Sequence, residues 1–207
     1  MNIISHRGLW QTPNEKNTAK AFAASFNLGF GSELDVRDCK GRLLVSHNPP
    51  SGNELEFAEL LQIMNGRNLP LAINIKADGL INDILSILGK FGHTNYFTFD
   101  MSIPDLVVQY STTANCYCGI SDIVPEPPKF KKYNGIWLDS FLSDWFNTET
   151  LDNIIAKYSH VCVVSSDLHN RQVEKQWETI SKSKYLYSNN LSLCTDNPVK
   201  AKSYFGL

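Results

Sequence analysis

Ser32-Glu33-Leu34-Asp35-Val36-Arg37-Asp38 alternates polar and apolar side chains, the period-two pattern of a strand. The alternation puts Glu33, Asp35 and Arg37 on one face and Leu34 and Val36 on the other. Upstream, residues 2–6 form a β-branched run that reads as a first strand ending at His6. Between the two, Asn17-Thr18 is a capping signal for a helix over residues 19–28, with Phe22 and Phe26 four apart on its inner face and Gly29 ending it. Downstream, Lys40-Gly41 is a turn signal, and residues 42–46 return as a short strand that delivers His47.

This strand–helix–strand opening continues along the chain. Further strands are predicted over residues 70–76, 95–100, 115–121, 135–140, 160–166 and 191–195. Helices are predicted over 56–66, 80–91, 103–110, 148–158 and 170–182, and a last helix starts at Asn197-Pro198. Eight principal strands alternating with helices favour a parallel sheet and, at that number, a closed (β/α)8 TIM barrel. The expectation is one compact barrel domain over residues 1–207, with a small β-hairpin after strand two and no large inserted domain. Residues 123–132, proline-rich and then basic through Lys129, Lys131 and Lys132, read as a rigid surface connection or, alternatively, as a rim over the active site whose lysines attract an anionic substrate.

Composition narrows the classes of function. Hydrophobic residues make up 43% and charged residues 19% of the 207, an ordinary globular balance. A formal net charge of −2 gives no support for a nucleic-acid or polybasic membrane partner. The five cysteines are odd in number, lack C-x-x-C spacing and lie mostly in apolar runs, which fits buried free thiols in a reducing compartment. With no signal-peptide pattern at the N-terminus and no spanning apolar run, a cytoplasmic protein without stable membrane association is expected.

In a barrel of this kind the site lies where strands end and their following loops begin. His6, Glu33, Asp35, Asn74 and Lys76 fall at or near the ends of the first three strands of the barrel, and Asp100, Asp139, Asp167 and Asp196 at the ends of later ones. Phosphate-ester cleavage needs a nucleophile deprotonated, a leaving oxygen protonated and phosphoryl charge neutralised. Two histidines, His6 and His47, suit the proton transfers because imidazole titrates near neutrality. Arg7 and Lys76 suit the phosphate, and Glu33 and Asp35, with the Asn74 amide oxygen, suit a hard divalent cation such as Mg²⁺ or Ca²⁺. Asp139, Asp167 and Asp196 read as loop or capping residues. His93, His160 and His169 read as structural or solvated.

Taken together, His6-Arg7-Gly8, Asn17-Thr18, Glu33-Leu34-Asp35-Val36 and His47 resemble the signature of the glycerophosphodiester phosphodiesterases, a family within the phosphatidylinositol-phospholipase-C-like barrel superfamily. Weaker matches follow at Ile75-Lys76, Thr98-Phe99-Asp100 and Thr195-Asp196-Asn197-Pro198, so the resemblance spans nearly the whole chain. It implies a metal-dependent phosphodiesterase in which His6 and His47 are the acid–base pair, Glu33 and Asp35 bind metal, and Arg7 and Lys76 contact phosphate. It also implies that attack can come from a neighbouring substrate hydroxyl, giving a cyclic phosphate that water opens later. Three positions depart from the family pattern. Asn74 replaces a glutamate ligand, Asn48 an aspartate after His47, and Glu15-Lys16 a Pro-Glu pair. These departures bear on which phosphoester is the substrate more than on phosphoester chemistry.

The expected activity is hydrolysis of a small soluble glycerol- or polyol-phosphate diester, in lipid or cell-envelope metabolism. The alternatives are a phosphatase for a monoester or a nucleotide-linked polyol, using the same site, and a barrel that binds a phosphorylated ligand without turning it over. The sequence leaves the oligomeric state open.

Overall fold

The computed structural model describes residues 1–129 and 133–207. In chain order the elements are β1 (Asn2–His6), α1 (Ala19–Asn27), β2 (Gly31–Cys39), β3 (Arg42–Val45), α2 (Phe57–Met64), β4 (Leu71–Ile75), α3 (Ile81–Lys90), β5 (Tyr96–Phe99) and α4 (Ile103–Tyr110). They continue as β6 (Tyr117–Ile120), β7 (Gly135–Leu138), α5 (Thr148–Tyr158), β8 (Val161–Val164), α6 (Glu174–Ser181), β9 (Leu191–Thr195) and α7 (Pro198–Phe205). Short 3-10 helices lie at Pro13–Glu15 and Ser166–His169. Eight parallel strands alternating with helices, and one antiparallel hairpin strand, β3, make this the (β/α)8 class of α/β barrel.

The chain gathers into two compact units, one of Ser5–Cys116 and one of Met1–Ile4 with Tyr117–Leu207. In the first, β2 pairs in parallel with β4, placing Asp35 opposite Asn74 and Glu33 opposite Ala72, and β4 pairs in parallel with β5. On its other side β2 pairs with β3, Val36 opposite Val45. The period-two alternation therefore sends Leu34, Val36, Leu71, Ile73 and Ile75 into one core with Phe22 and Phe26 of α1, Leu60 of α2 and Ile84 of α3. Burying each such side chain contributes ~1.5–3 kcal/mol, so this face carries the folding and leaves Glu33, Asp35 and Asn74 on the other. The helix starts follow local chemistry: the Thr18 hydroxyl accepts from Ala21 N, and Glu59 accepts from Glu56 N.

In the second unit, β6, β7, β8 and β9 pair in parallel in sequence order. Helix α6 differs from expectation. It begins at Glu174 rather than near residue 170, because Ser166–His169 wind into a 3-10 turn and Asn170 closes it with a left-handed φ of 56°.

All five cysteines are free, and four are buried. Among the described residues no helix is long and apolar enough to cross a membrane. Of the three lysines in the proline-rich connection, Lys131 and Lys132 lie outside the described residues.

Candidate active site

The expected site residues all fall in the unit of Ser5–Cys116. Strand β1 ends at His6, and the chain turns there: Arg7 has φ 59° and Gly8 φ 85°. A Cβ on Gly8 would meet the Ala21 backbone of α1 at 2.7 Å, so only glycine allows this approach. The turn is pinned by Arg7 N donating to the Glu33 carbonyl (3.1 Å) and Gly8 N donating to the Ser32 hydroxyl (3.0 Å). That brings the His6 and Arg7 side chains beside the polar face of β2.

Asp35 is the centre of the cluster. Its side chain is fully buried, with Arg7 Nε 2.9 Å from Oδ2 and Lys76 Nζ 3.4 Å from Oδ1. Asn17 Nδ2 donates to Oδ2 at 2.9 Å. Glu33 is buried one step back on the strand, its Oε2 3.8 Å from His6 Nε2. Burial pushes the Glu33 carboxyl well above the usual range, and the Asp35 charge adds to this, while Arg7 and Lys76 pull it back. Asn74, opposite Asp35 on β4, donates through Nδ2 to Asp100 Oδ2 at 3.2 Å.

Three oxygens on this face, Glu33 Oε2, Asp35 Oδ1 and Asn74 Oδ1, are buried and accept no hydrogen bond among the described residues. Asp35 Oδ1 faces Lys76 Nζ at 3.4 Å and Glu33 Oε2 faces His6 Nε2 at 3.8 Å, and oxygens of this kind fit a hard divalent cation by donor chemistry. The set is two carboxylates and an amide. Among the described residues no group of three or more His, Cys, Asp or Glu side chains gathers to hold a metal ion.

His47 stands apart from the buried cluster, exposed at the end of the hairpin. Ser46 N donates to the Asp35 carbonyl at 2.9 Å, and Arg37 Nε donates to the His47 carbonyl at 3.0 Å, so β2 fixes its position from both sides. A cleft of about 650 Å³ lies there, lined by Arg7, Lys16, Asn17, His47 and Asn48 among others. His6, Glu33, Asp35, Asn74 and Lys76 do not line it. The structure thus brings Arg7 and His47 to one cleft and places His6, Glu33, Asp35, Asn74 and Lys76 along the polar face of β2 and β4, outside its lining.

Two features escape the sequence reading. Asn17 reads as part of a helix start, yet Thr18 alone caps α1, and Asn17, at φ 60°, spends its amide on Asp35. His169, read as structural or solvated, and Asp139, read as a loop residue, form a pair at 2.7 Å in the other unit.

The fold and its polar strand ends define a (β/α)8 barrel with a candidate active site in the unit of Ser5–Cys116. No family model matches the sequence, and no curated protein sequence matches it. Solved structures share the fold, two of them over nearly the whole of both chains. A glycerophosphodiester phosphodiesterase from Agrobacterium tumefaciens superposes with a TM-score of 0.71 at 16% identity, covering 100% of both chains. An Oleispira antarctica phosphodiesterase, in complex with its product sn-glycerol-3-phosphate, gives 0.69 at 14% identity over 100% of this chain and 97% of its own. At such identities the likeness establishes the fold.

Proposed function

We propose that this chain is a metal-dependent phosphoric diester hydrolase acting on a small glycerol- or polyol-phosphate ester. The observation that carries the reading is the convergence of Arg7 and Lys76 on buried Asp35, whose Oδ1, with Glu33 Oε2 and Asn74 Oδ1, accepts no hydrogen bond among the described residues. The shared fold supports it, since two structures of that fold are phosphodiesterases and one holds sn-glycerol-3-phosphate. The proposed partner is a small-molecule phosphoester rather than nucleic acid or a membrane, and the proposed location is the cytoplasm.

Arg7 and Lys76 are each about a fifth exposed, at 20% and 21%, so they can reach a ligand while Asp35 holds them in place. Two cations fixed before the substrate arrives neutralise phosphoryl charge without reorganisation. His6 and His47 exchange the protons: one imidazole takes a proton from the attacking hydroxyl or water, and the other gives one to the departing alkoxide. Glu33, Asp35 and Asn74 would hold Mg²⁺ or Ca²⁺, which when bound polarises the phosphoryl oxygens.

The test is turnover of glycerophosphodiesters, polyol monophosphates, and bis-p-nitrophenyl against p-nitrophenyl phosphate, with Mg²⁺, Mn²⁺, Ca²⁺ or EDTA. Diester turnover that EDTA abolishes is expected. Preference for the monoester selects a phosphatase, and binding of a phosphorylated ligand without turnover selects a binding protein. A calorimetric cation titration checks the ligand set separately. Asn74→Glu is expected to tighten the metal because an added anionic ligand raises affinity for a hard ion. Unchanged or weaker binding rejects Asn74 as a ligand.

A further inference from the structure

The unit of Met1–Ile4 with Tyr117–Leu207 holds a second polar cluster that the proposed reaction does not use. We propose that it binds a neutral polyhydroxylated group, a sugar or polyol, at the C-terminal ends of β7, β8 and β9.

These strands are parallel neighbours, so their ends share one edge. After β7, Asp139 Oδ1 lies 2.7 Å from His169 Nε2 and also accepts from Ser140 N at 2.7 Å. After β8, Arg171 donates through Nη1 to Asp144 Oδ1 at 2.8 Å and through Nη2 to the Ser140 carbonyl. At the end of β9, the Thr195 hydroxyl and the Asn197 amide donate to Asp167 Oδ2 at 2.7 and 2.9 Å. Trp145 Nε1 donates to the Asp139 carbonyl at 2.8 Å, tying the loop to the same cluster.

The network is positioned but incomplete. Ser140 Oγ, Arg171 Nε and Asp167 Oδ1 are buried and have no hydrogen-bond partner among the described residues. Ser140 is 0% exposed. Buried polar groups are almost always hydrogen-bonded, so three left unmet in one cluster point to an absent partner. Their chemistry describes that partner. Arg171 Nε only donates, Asp167 Oδ1 only accepts, and a serine hydroxyl does both. A group of hydroxyls answers all three, whereas a fully ionised phosphate offers Asp167 no proton.

Charge points the same way. Asp139, Asp144 and Asp167 face Arg171 and His169, so even with the imidazole protonated the cluster keeps a negative excess and disfavours an anion. An apolar wall completes it. The Phe141 ring lies 5.2 Å from that of His169 and is 46% exposed, presenting a face on which the C–H side of a sugar or polyol can rest.

The experiment is an NMR titration of the full chain, reading the Trp145 indole N–H, assigned with Trp145→Phe, against glycerol, myo-inositol, glucose and inorganic phosphate. A saturable shift with at least one polyol or sugar, and none with phosphate, is expected. Binding should weaken at least tenfold in exposed Phe141→Ala and in His169→Gln, with the fold checked by the remaining indole signals. His6→Ala should leave it intact, so this site and the hydrolase reading succeed or fail separately. No saturable shift with any neutral ligand, a phosphate response, or unchanged affinity in both variants overturns the proposal.

Discussion

Replacing His6 with alanine is expected to lower kcat/KM for a glycerophosphodiester by ~10²–10⁴-fold, the range a positioned acid or base contributes. His47→Ala should fall in the same range, though the two residues sit differently. His6 is 12% exposed with Glu33 Oε2 at 3.8 Å, and His47 is exposed on the hairpin. Leaving-group chemistry separates their roles. Nitrophenolate departs with little help from a proton, so the variant lacking the acid should recover much of its activity on a nitrophenyl diester. The variant lacking the base should lose equally on both esters, because deprotonation of the attacking oxygen is still required. Turnover within about threefold of wild type in either variant, on the glycerol ester, would remove that histidine from the mechanism. Urea midpoints should be nearly unchanged for His47→Ala, because its side chain is exposed and its Nδ1 meets Asn48 Oδ1 at the surface, at 3.1 Å.

The barrel was legible because each element is locally consistent. Ile103–Tyr110, Thr148–Tyr158 and Leu191–Thr195 begin and end where turn and capping residues place them. The polar face of β2 was legible for the same reason, since period two alone puts Glu33 beside Asp35. What joins the site together was not. The Arg7–Asp35 ion pair depends on a left-handed turn after β1, and a non-glycine residue carries no local sign that it will adopt φ 59°. The Asp35–Asn74 pairing depends on register between strands that α2 separates, and sequence spacing does not encode that register. His169 and Asp139 lie thirty residues apart in sequence, on loops after different strands. Helix α6 was overextended because a 3-10 turn and an α-helix start share the same polar residue types.

The cluster around Asp35 also makes a stability prediction with a direction to it. Asp35 is 0% exposed while Arg7 and Lys76 are each about a fifth exposed, so the members of the ion cluster are unequally dependent on one another. Arg7→Met strands a buried carboxylate that keeps the longer Lys76 contact and the Asn17 amide to offset its charge. Removing one partner of a buried pair costs ~3–5 kcal/mol, and the urea midpoint should fall by more than about one molar at ordinary m-values. Asp35→Asn should cost less, on the order of 1–3 kcal/mol, because the freed cations can turn to water and the amide oxygen still accepts from Asn17. A loss from Asp35→Asn equal to or larger than that from Arg7→Met would show that the anion organises the cations, rather than depending on them. The asymmetry bears on function as well. Arginine and lysine that stay on Asp35 yet keep about a fifth of their surface exposed can engage a phosphate, and a phosphorylated ligand should therefore stabilise wild type more than Arg7→Met.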